Sequence, residues 1–163
     1  NSGVAELSEW EGSEETLAAI EKAVRLAGET RVSGTIPGPE EVEDTLGGGW
    51  VAEEALAVGL FCALVAEDAV RAGATPAEGY RKGALVAVNH SGDTDSTGAI
   101  CGSLLGARFG EECLPADWLA DLEARELIET VADDLALQFG SLWDEDAPTP
   151  EEFGPDLDRY PAW

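Results

Sequence analysis

An all-α fold is predicted by three features of the chain. Apolar residues recur three and four apart through most of its length; proline, glycine and acidic residues stand where helices begin and end; and no segment makes a convincing strand. At 163 residues the chain is long enough for one domain that buries about two thirds of its unfolded surface. Its hydrophobic fraction of 44% is that of a globular protein, so its acidity does not signal disorder.

Taken in order, Ser13-Glu14-Glu15-Thr16 opens a helix whose apolar positions are Leu17, Ile20, Val24 and Ala27, ending near Gly28. Residues 31–38 read as a linker punctuated by Gly and Pro. Pro39 to Asp44 reads as a short helix, with proline and acids in its first turn, before the turn Gly47-Gly48-Gly49. From Trp50 to Ala72 apolar residues run nearly all round the helix (Leu56, Val58, Leu60, Phe61, Leu64, Val65), which predicts burial on most sides. Thr75-Pro76-Ala77-Glu78 starts the next helix with a capping Thr and Pro at the first position, running through Leu85 and Val88. Helices over 96–109, 115–122 and 123–139 complete the set, the last amphipathic through Leu127, Ile128, Val131 and Leu135. Residues 1–140 are read as one domain, and the acidic stretch 141–163, rich in proline and aromatics, as a tail.

The net charge of −25 argues against nucleic acid or an anionic membrane surface as partner, because both are polyanions. Lys22 and Lys82 are the only lysines; this scarcity beside the acid excess suits either high salt or a biased genome, and both readings stay open. Cys62, Cys101 and Cys113 form no CxxC and each adjoins apolar residues, so they read as small buried hydrophobes in a reducing compartment. The longest apolar run, around Ala55 to Ala66, is interrupted by Gly59 and ends at Glu67-Asp68, short of the ~18–20 residues of a membrane span. No basic region followed by an apolar core marks the N-terminus, and the expected location is cytoplasmic.

Chemistry concentrates in Asp93-Thr94-Asp95-Ser96-Thr97-Gly98. In an extended stretch, residues two apart face the same side, so Asp93 and Asp95 converge, with Ser96 adding a neutral oxygen where a helix begins. Clustered acids repel unless positive charge lies between them, and hard divalent cations take such oxygen ligands. The plainer reading is a helix N-terminus capped by Asp93 or Asp95, against which stands the redundancy of two acids where one cap suffices. A calcium hand fails at its twelfth position, where Leu104 replaces the bidentate Glu. Gly98, Gly102, Gly106 and Gly110 recur every four residues beyond the acids, a strip of bare backbone that predicts close approach of another helix.

The string Asn89-His90-Ser91-Gly92-Asp93-Thr94-Asp95-Ser96-Thr97-Gly98, followed by the glycine-spaced helix and Leu114-Pro115-Ala116-Asp117-Trp118, resembles the C-terminal signature of the ADP-ribosylglycohydrolase family. Gly48-Gly49-Trp50-Val51-Ala52-Glu53-Glu54-Ala55-Leu56 is similar to an upstream helix of that family, and Leu122 to Glu129 to a downstream one; the resemblance covers about 14–140. It implies a compact orthogonal multi-helix bundle with two magnesium (or manganese) ions in a cleft. The implied activity is hydrolysis of the glycosidic bond between ADP-ribose and a protein side chain or small acceptor. Carried over, Asp93 and Asp95 are metal-ligand carboxylates and Ser96 a hydroxyl ligand, with Asn89, His90, Ser91 and Thr97 supporting them. Ser96 in place of the commoner threonine, with His90, resembles the branch that removes ADP-ribose from arginine. Ser91 departs from the usual glycine.

The family's remaining metal ligands lie on an N-terminal Thr-Asp-Asp-Thr-type motif, near a catalytic acid, and nothing in this chain matches it. The expectation is therefore the C-terminal half of a longer enzyme, stable only beside the missing half and exposing part of the 50–72 helix or the glycine strip without it. The catalytic residues are expected in that half. Glu40-Glu41 and Asp133-Asp134 read as solvated helix faces; Glu53 and Glu54 read either as contacts of the site or, for one of them, as a surface salt-bridge partner. His90 reads as a loop or supporting residue, and Trp50 as core in preference to a stacking platform. Trp143, Tyr160 and Trp163 read as packing anchors of the tail.

Overall fold

The computed structural model describes residues 13–139; the expected tail at 141–163, with its three aromatic anchors, lies outside them. The described residues form seven α-helices and one 3-10 turn, with no strand among them. The fold is all-α. The chain divides into two compact units after Ala116. The first holds α1 (Glu14–Ser33), α2 (Pro39–Leu46), α3 (Ala52–Arg71), α4 (Pro76–Ala87), α5 (Thr94–Phe109) and the 3-10 turn Glu111–Cys113. Helix α6 (Ala116–Ala120) begins at the division, and α7 (Arg125–Phe139) lies in the second unit.

Helix α3 is the centre of the first unit, with α1, α4 and α5 packed around it. Val58, Phe61, Cys62 and Ala66 are fully buried along it, as its all-round apolar pattern predicts. Burying a side chain the size of Phe61 stabilises the fold by about 1.5–3 kcal/mol. Of the two surfaces expected to be exposed, the body of α3 is covered by three helices, whereas Trp50 and Val51 ahead of it and the Gly106 and Gly110 end of the glycine strip are open. Helix α1 is longer than expected, running past Gly28 to a left-handed Gly34 cap, and it turns a different face inward. Of the expected stripe Ala27 is buried, Leu17 and Ile20 are half-buried and Val24 is half exposed, while Ala19, Ala23 and Leu26 complete the inward face.

The glycine strip of α5 also behaves otherwise than expected. A Cβ on Gly98 would meet only Val88 and one on Gly102 only Tyr80, side-chain atoms in both cases, while Gly106 and Gly110 face open space. Close backbone approach is made instead by glycines elsewhere. A Cβ on Gly83 of α4 would lie 2.8 Å from the Cys62 carbonyl oxygen, and one on Gly59 of α3 would lie 3.2 Å from the Cys101 nitrogen.

Helix α4 opens with the capping box predicted for it. The Glu78 backbone N–H donates to Thr75 Oγ1 at 3.2 Å and the Thr75 N–H donates to Glu78 Oε2 at 2.8 Å. All three cysteines are buried free thiols, as expected. Trp50, expected in the core, is 70% exposed because it lies on the loop ahead of α3, its ring beside Gly48. In α7, Leu127, Ile128 and Leu135 remain more than half exposed. Asp134 is buried and so does not share a solvated face with Asp133; neighbours on a helix lie about 100° apart. No described helix is long and apolar enough to cross a membrane.

Candidate functional site

The acidic string sits at the junction of α4, α5 and the triglycine loop, all within the first unit. Helix α5 starts at Thr94, so Asp95 and Ser96 lie in its first turn and Asp93 at its N-cap. The predicted extended stretch is thus a helix start, and the two carboxylates converge across that turn. The Asp93 carboxylate makes no capping hydrogen bond of ordinary geometry. Instead the Ser96 hydroxyl donates to Asp93 Oδ2 at 2.8 Å. The Asp93 carboxyl is held below the usual carboxylate range, first by the adjacent Asp95 side chain and then by the Ser96 hydroxyl.

Two carboxylates held this close repel unless positive charge comes between them. The arginine ion pairs among the described residues leave both acids out, while nearby His90 also helps to hold the Asp93 carboxyl down. The donor set has the chemistry of a hard divalent cation's ligands: two carboxylates and a hydroxyl whose hydrogen is given to Asp93, so that its oxygen still has lone pairs to offer. Among the described residues no three His, Cys, Asp or Glu side chains converge on one point, so they supply no complete coordination sphere by themselves.

The loop carrying the acids rests on the triglycine turn. The Asp93 N–H donates to the Gly48 carbonyl at 2.8 Å. Gly47 and Gly49 have φ of +96° and +83°, a region costly for side chains, and Gly92 lies so near Gly48 that a Cβ there would run into the carbonyl. Glu54, expected on sequence grounds at the site or in a surface salt bridge, serves this turn: it accepts from the Gly49 N–H at 3.1 Å and the Trp50 N–H at 3.3 Å. Sequence reasoning missed Glu43 of α2, which accepts a hydrogen bond from the Ser91 hydroxyl. It read Gly47-Gly48-Gly49 only as a turn, whereas it is also the floor of the acidic loop. The available signal was that both glycine-rich strings immediately precede helices.

The supporting residues divide. Thr97 is completely buried; its hydroxyl donates to the Ala87 carbonyl at 2.7 Å and lies 3.0 Å from His90 Nε2. The Gly92 N–H donates to His90 Nδ1 at 3.1 Å. Asn89 is exposed, on the rim of an adjoining groove of about 240 Å³ lined mainly by Ile36, Pro37, Pro39, Val42 and Leu85.

A family model described as ADP-ribosylglycohydrolase matches residues 1–145. The chain belongs to this family. Among curated proteins it is similar to the ADP-ribosyl-[dinitrogen reductase] glycohydrolase of Rhodospirillum rubrum, 45% identical over 38 residues. That stretch is 23% of this chain and 13% of the relative, so the chain matches about an eighth of that protein's length. No solved structure matches the chain. Membership accords with the order of the motifs along the helices: the triglycine turn precedes α3, and the acidic loop precedes α5.

Proposed function

We propose that this chain contributes Asp93, Asp95 and Ser96 to a magnesium- or manganese-dependent site that hydrolyses the glycosidic bond between ADP-ribose and an acceptor. The observation that carries the reading is the convergence of Asp93, Asp95 and the Ser96 hydroxyl at the start of α5, in a chain of the ADP-ribosylglycohydrolase family. Two divalent cations, when bound, supply positive charge that holds ribose hydroxyls and stabilises a water's developing charge while the anomeric carbon turns positive. The residues of this chain hold and orient that charge. The Ser96 hydrogen is fixed on Asp93, and Gly48 fixes the loop beneath. The exposed ring of Trp50 offers a face on which a ligand base would stack.

Bound cations would also reverse the field of a strongly acidic protein and let it accept an anionic pyrophosphate. Ser96 and His90 favour arginine as the acceptor, through their resemblance to that branch. A protein substrate is supported by the relative's name, which places its ADP-ribose on dinitrogen reductase. The catalytic residues and remaining ligands would come from the family's N-terminal half. Because no three ligand-type side chains converge among the described residues, a second reading is a binding module that takes ADP-ribose without hydrolysing it.

Release of free ADP-ribose from ADP-ribosylated arginine, measured with Mg2+ and the N-terminal half supplied, separates the two. Turnover that disappears in Asp93→Asn supports the hydrolase. Binding of ADP-ribose without turnover supports the module, and neither metal uptake nor ADP-ribose binding contradicts both.

A further inference from the structure

We infer that His90 is a positioning residue acting as the neutral Nε2–H tautomer, clamping the acidic loop at both ends through Gly92 and Thr97. The inference rests on the reading of that loop as a metal-ligand set, and adds what holds the set in shape. The tautomer follows from which atoms are able to donate. Three contacts of the Thr97 hydroxyl are to carbonyl oxygens, of Ala87 at 2.7 Å, Asp93 at 3.2 Å and Thr94 at 3.3 Å. Carbonyls only accept, so whichever of them takes the single hydroxyl hydrogen, Thr97 Oγ1 has none left for His90. Its 3.0 Å contact with the ring therefore requires a hydrogen on Nε2. The Gly92 N–H can only donate, so Nδ1, 3.1 Å away, must present its lone pair. Both ring nitrogens are thus assigned, one as donor and one as acceptor.

The relay joins three elements at their ends. Ala87 is the last residue of α4, Gly92 lies in the loop, and Thr97 is in the first turns of α5. Ala87 and Thr97 are both completely buried, so the relay is anchored in the interior and not on the loop itself. Gly92 immediately precedes Asp93 and Thr97 immediately follows Ser96, so the imidazole grips the residues on either side of the ligand run. Partners one step removed from a metal typically fix ligand orientation in this way, and their loss costs roughly 10–100-fold in metal affinity.

His90 is the only histidine in the chain, so nitrogen-15-labelled histidine yields ring signals from this residue alone. Near neutral pH the spectrum is expected to show a protonated Nε2 and a bare Nδ1. A protonated Nδ1 in the folded chain overturns the inference without any variant. Two substitutions then separate the arms of the relay: the oxygen of His90→Asn can still accept from Gly92 but falls short of Thr97, and the amide of His90→Gln reaches Thr97 but leaves Gly92 without an acceptor. Hydrogen exchange at the Gly92 amide should accelerate in His90→Gln and His90→Ala and stay slow in His90→Asn, with α3 amides protected in all three. Mn2+ affinity should fall about 10–100-fold in His90→Ala and recover partly in His90→Asn. Unchanged Gly92 exchange and unchanged Mn2+ affinity in His90→Ala overturn the inference while the metal reading survives. A wild-type chain that takes up no Mn2+, yet shows the expected tautomer and exchange pattern, defeats the metal reading and leaves the relay standing.

Discussion

Gly92 has no room for a side chain, since a Cβ would run into the Gly48 carbonyl that receives the Asp93 N–H. Gly92→Ala is therefore expected to part the acidic loop from its floor and weaken Mn2+ binding, while the helical circular dichroism of the whole chain persists. Titration of the variant checks this, and wild-type affinity would contradict it. Thr75→Ala removes a cap remote from the site and should lower stability by about 1 kcal/mol without touching metal affinity, as chemical denaturation would show. Its partner Glu78 has its pKa lowered by the Thr75 backbone N–H and then by the Thr75 hydroxyl. A carboxylate pKa lowered by folding contributes stability above its unfolded value, about 4.3, and that contribution is lost as pH falls through the folded value. Acid unfolding should thus begin at higher pH in Thr75→Ala. At this scale the sequence was informative where one residue acts on its own chain neighbours, as in the Thr75–Glu78 box. It was silent on Glu43 with Ser91, because a contact between residues 48 apart has no local signal.

Helix positions were legible because capping residues, proline and the 3.6-residue period are local. Which face turns inward was not. Alanine and glycine on α1 and α4 carry little hydrophobic weight, yet Ala19, Ala23 and Gly83 are where these helices are buried. Two alanine substitutions make the distinction measurable. Gly83→Ala should destabilise by about 1–3 kcal/mol, since its Cβ would lie 2.8 Å from the backbone oxygen of Cys62, which cannot swing aside. Gly106→Ala meets nothing within 4 Å on a helix, and should stabilise by about 0.4–1 kcal/mol by restricting the unfolded chain. Denaturation midpoints that move the same way in both variants would contradict this account of how α4 and α5 pack.

Across the whole molecule, extreme acidity and a deeply buried set of thiols bear on stability in different ways. Burial pushes the Cys101 thiol up to about 12 and raises Cys62 as well, the latter aided by nearby Cys101. A thiol whose pKa is raised by folding contributes stability that is complete below the unfolded value of about 8.5 and is lost as pH rises toward the folded value. Stability should therefore decline above about pH 8.5, and Cys62→Ala with Cys101→Ala should flatten that decline in a pH series of melting curves. The family was legible from ordered motifs, whereas the full ligand set was not, because two carboxylates and a hydroxyl are all the described residues bring together. Calorimetric titration of Mn2+ into the wild-type chain, beside Asp93→Asn and Asp95→Asn, tests the central claim most directly. The account predicts saturable uptake by the wild type that is lost in both variants, by more than the roughly 10–100-fold of an outer-shell change, with melting temperatures little altered. Equal Mn2+ affinity in all three, accompanied by a large fall in melting temperature for the variants, would return both acids to the role of helix caps.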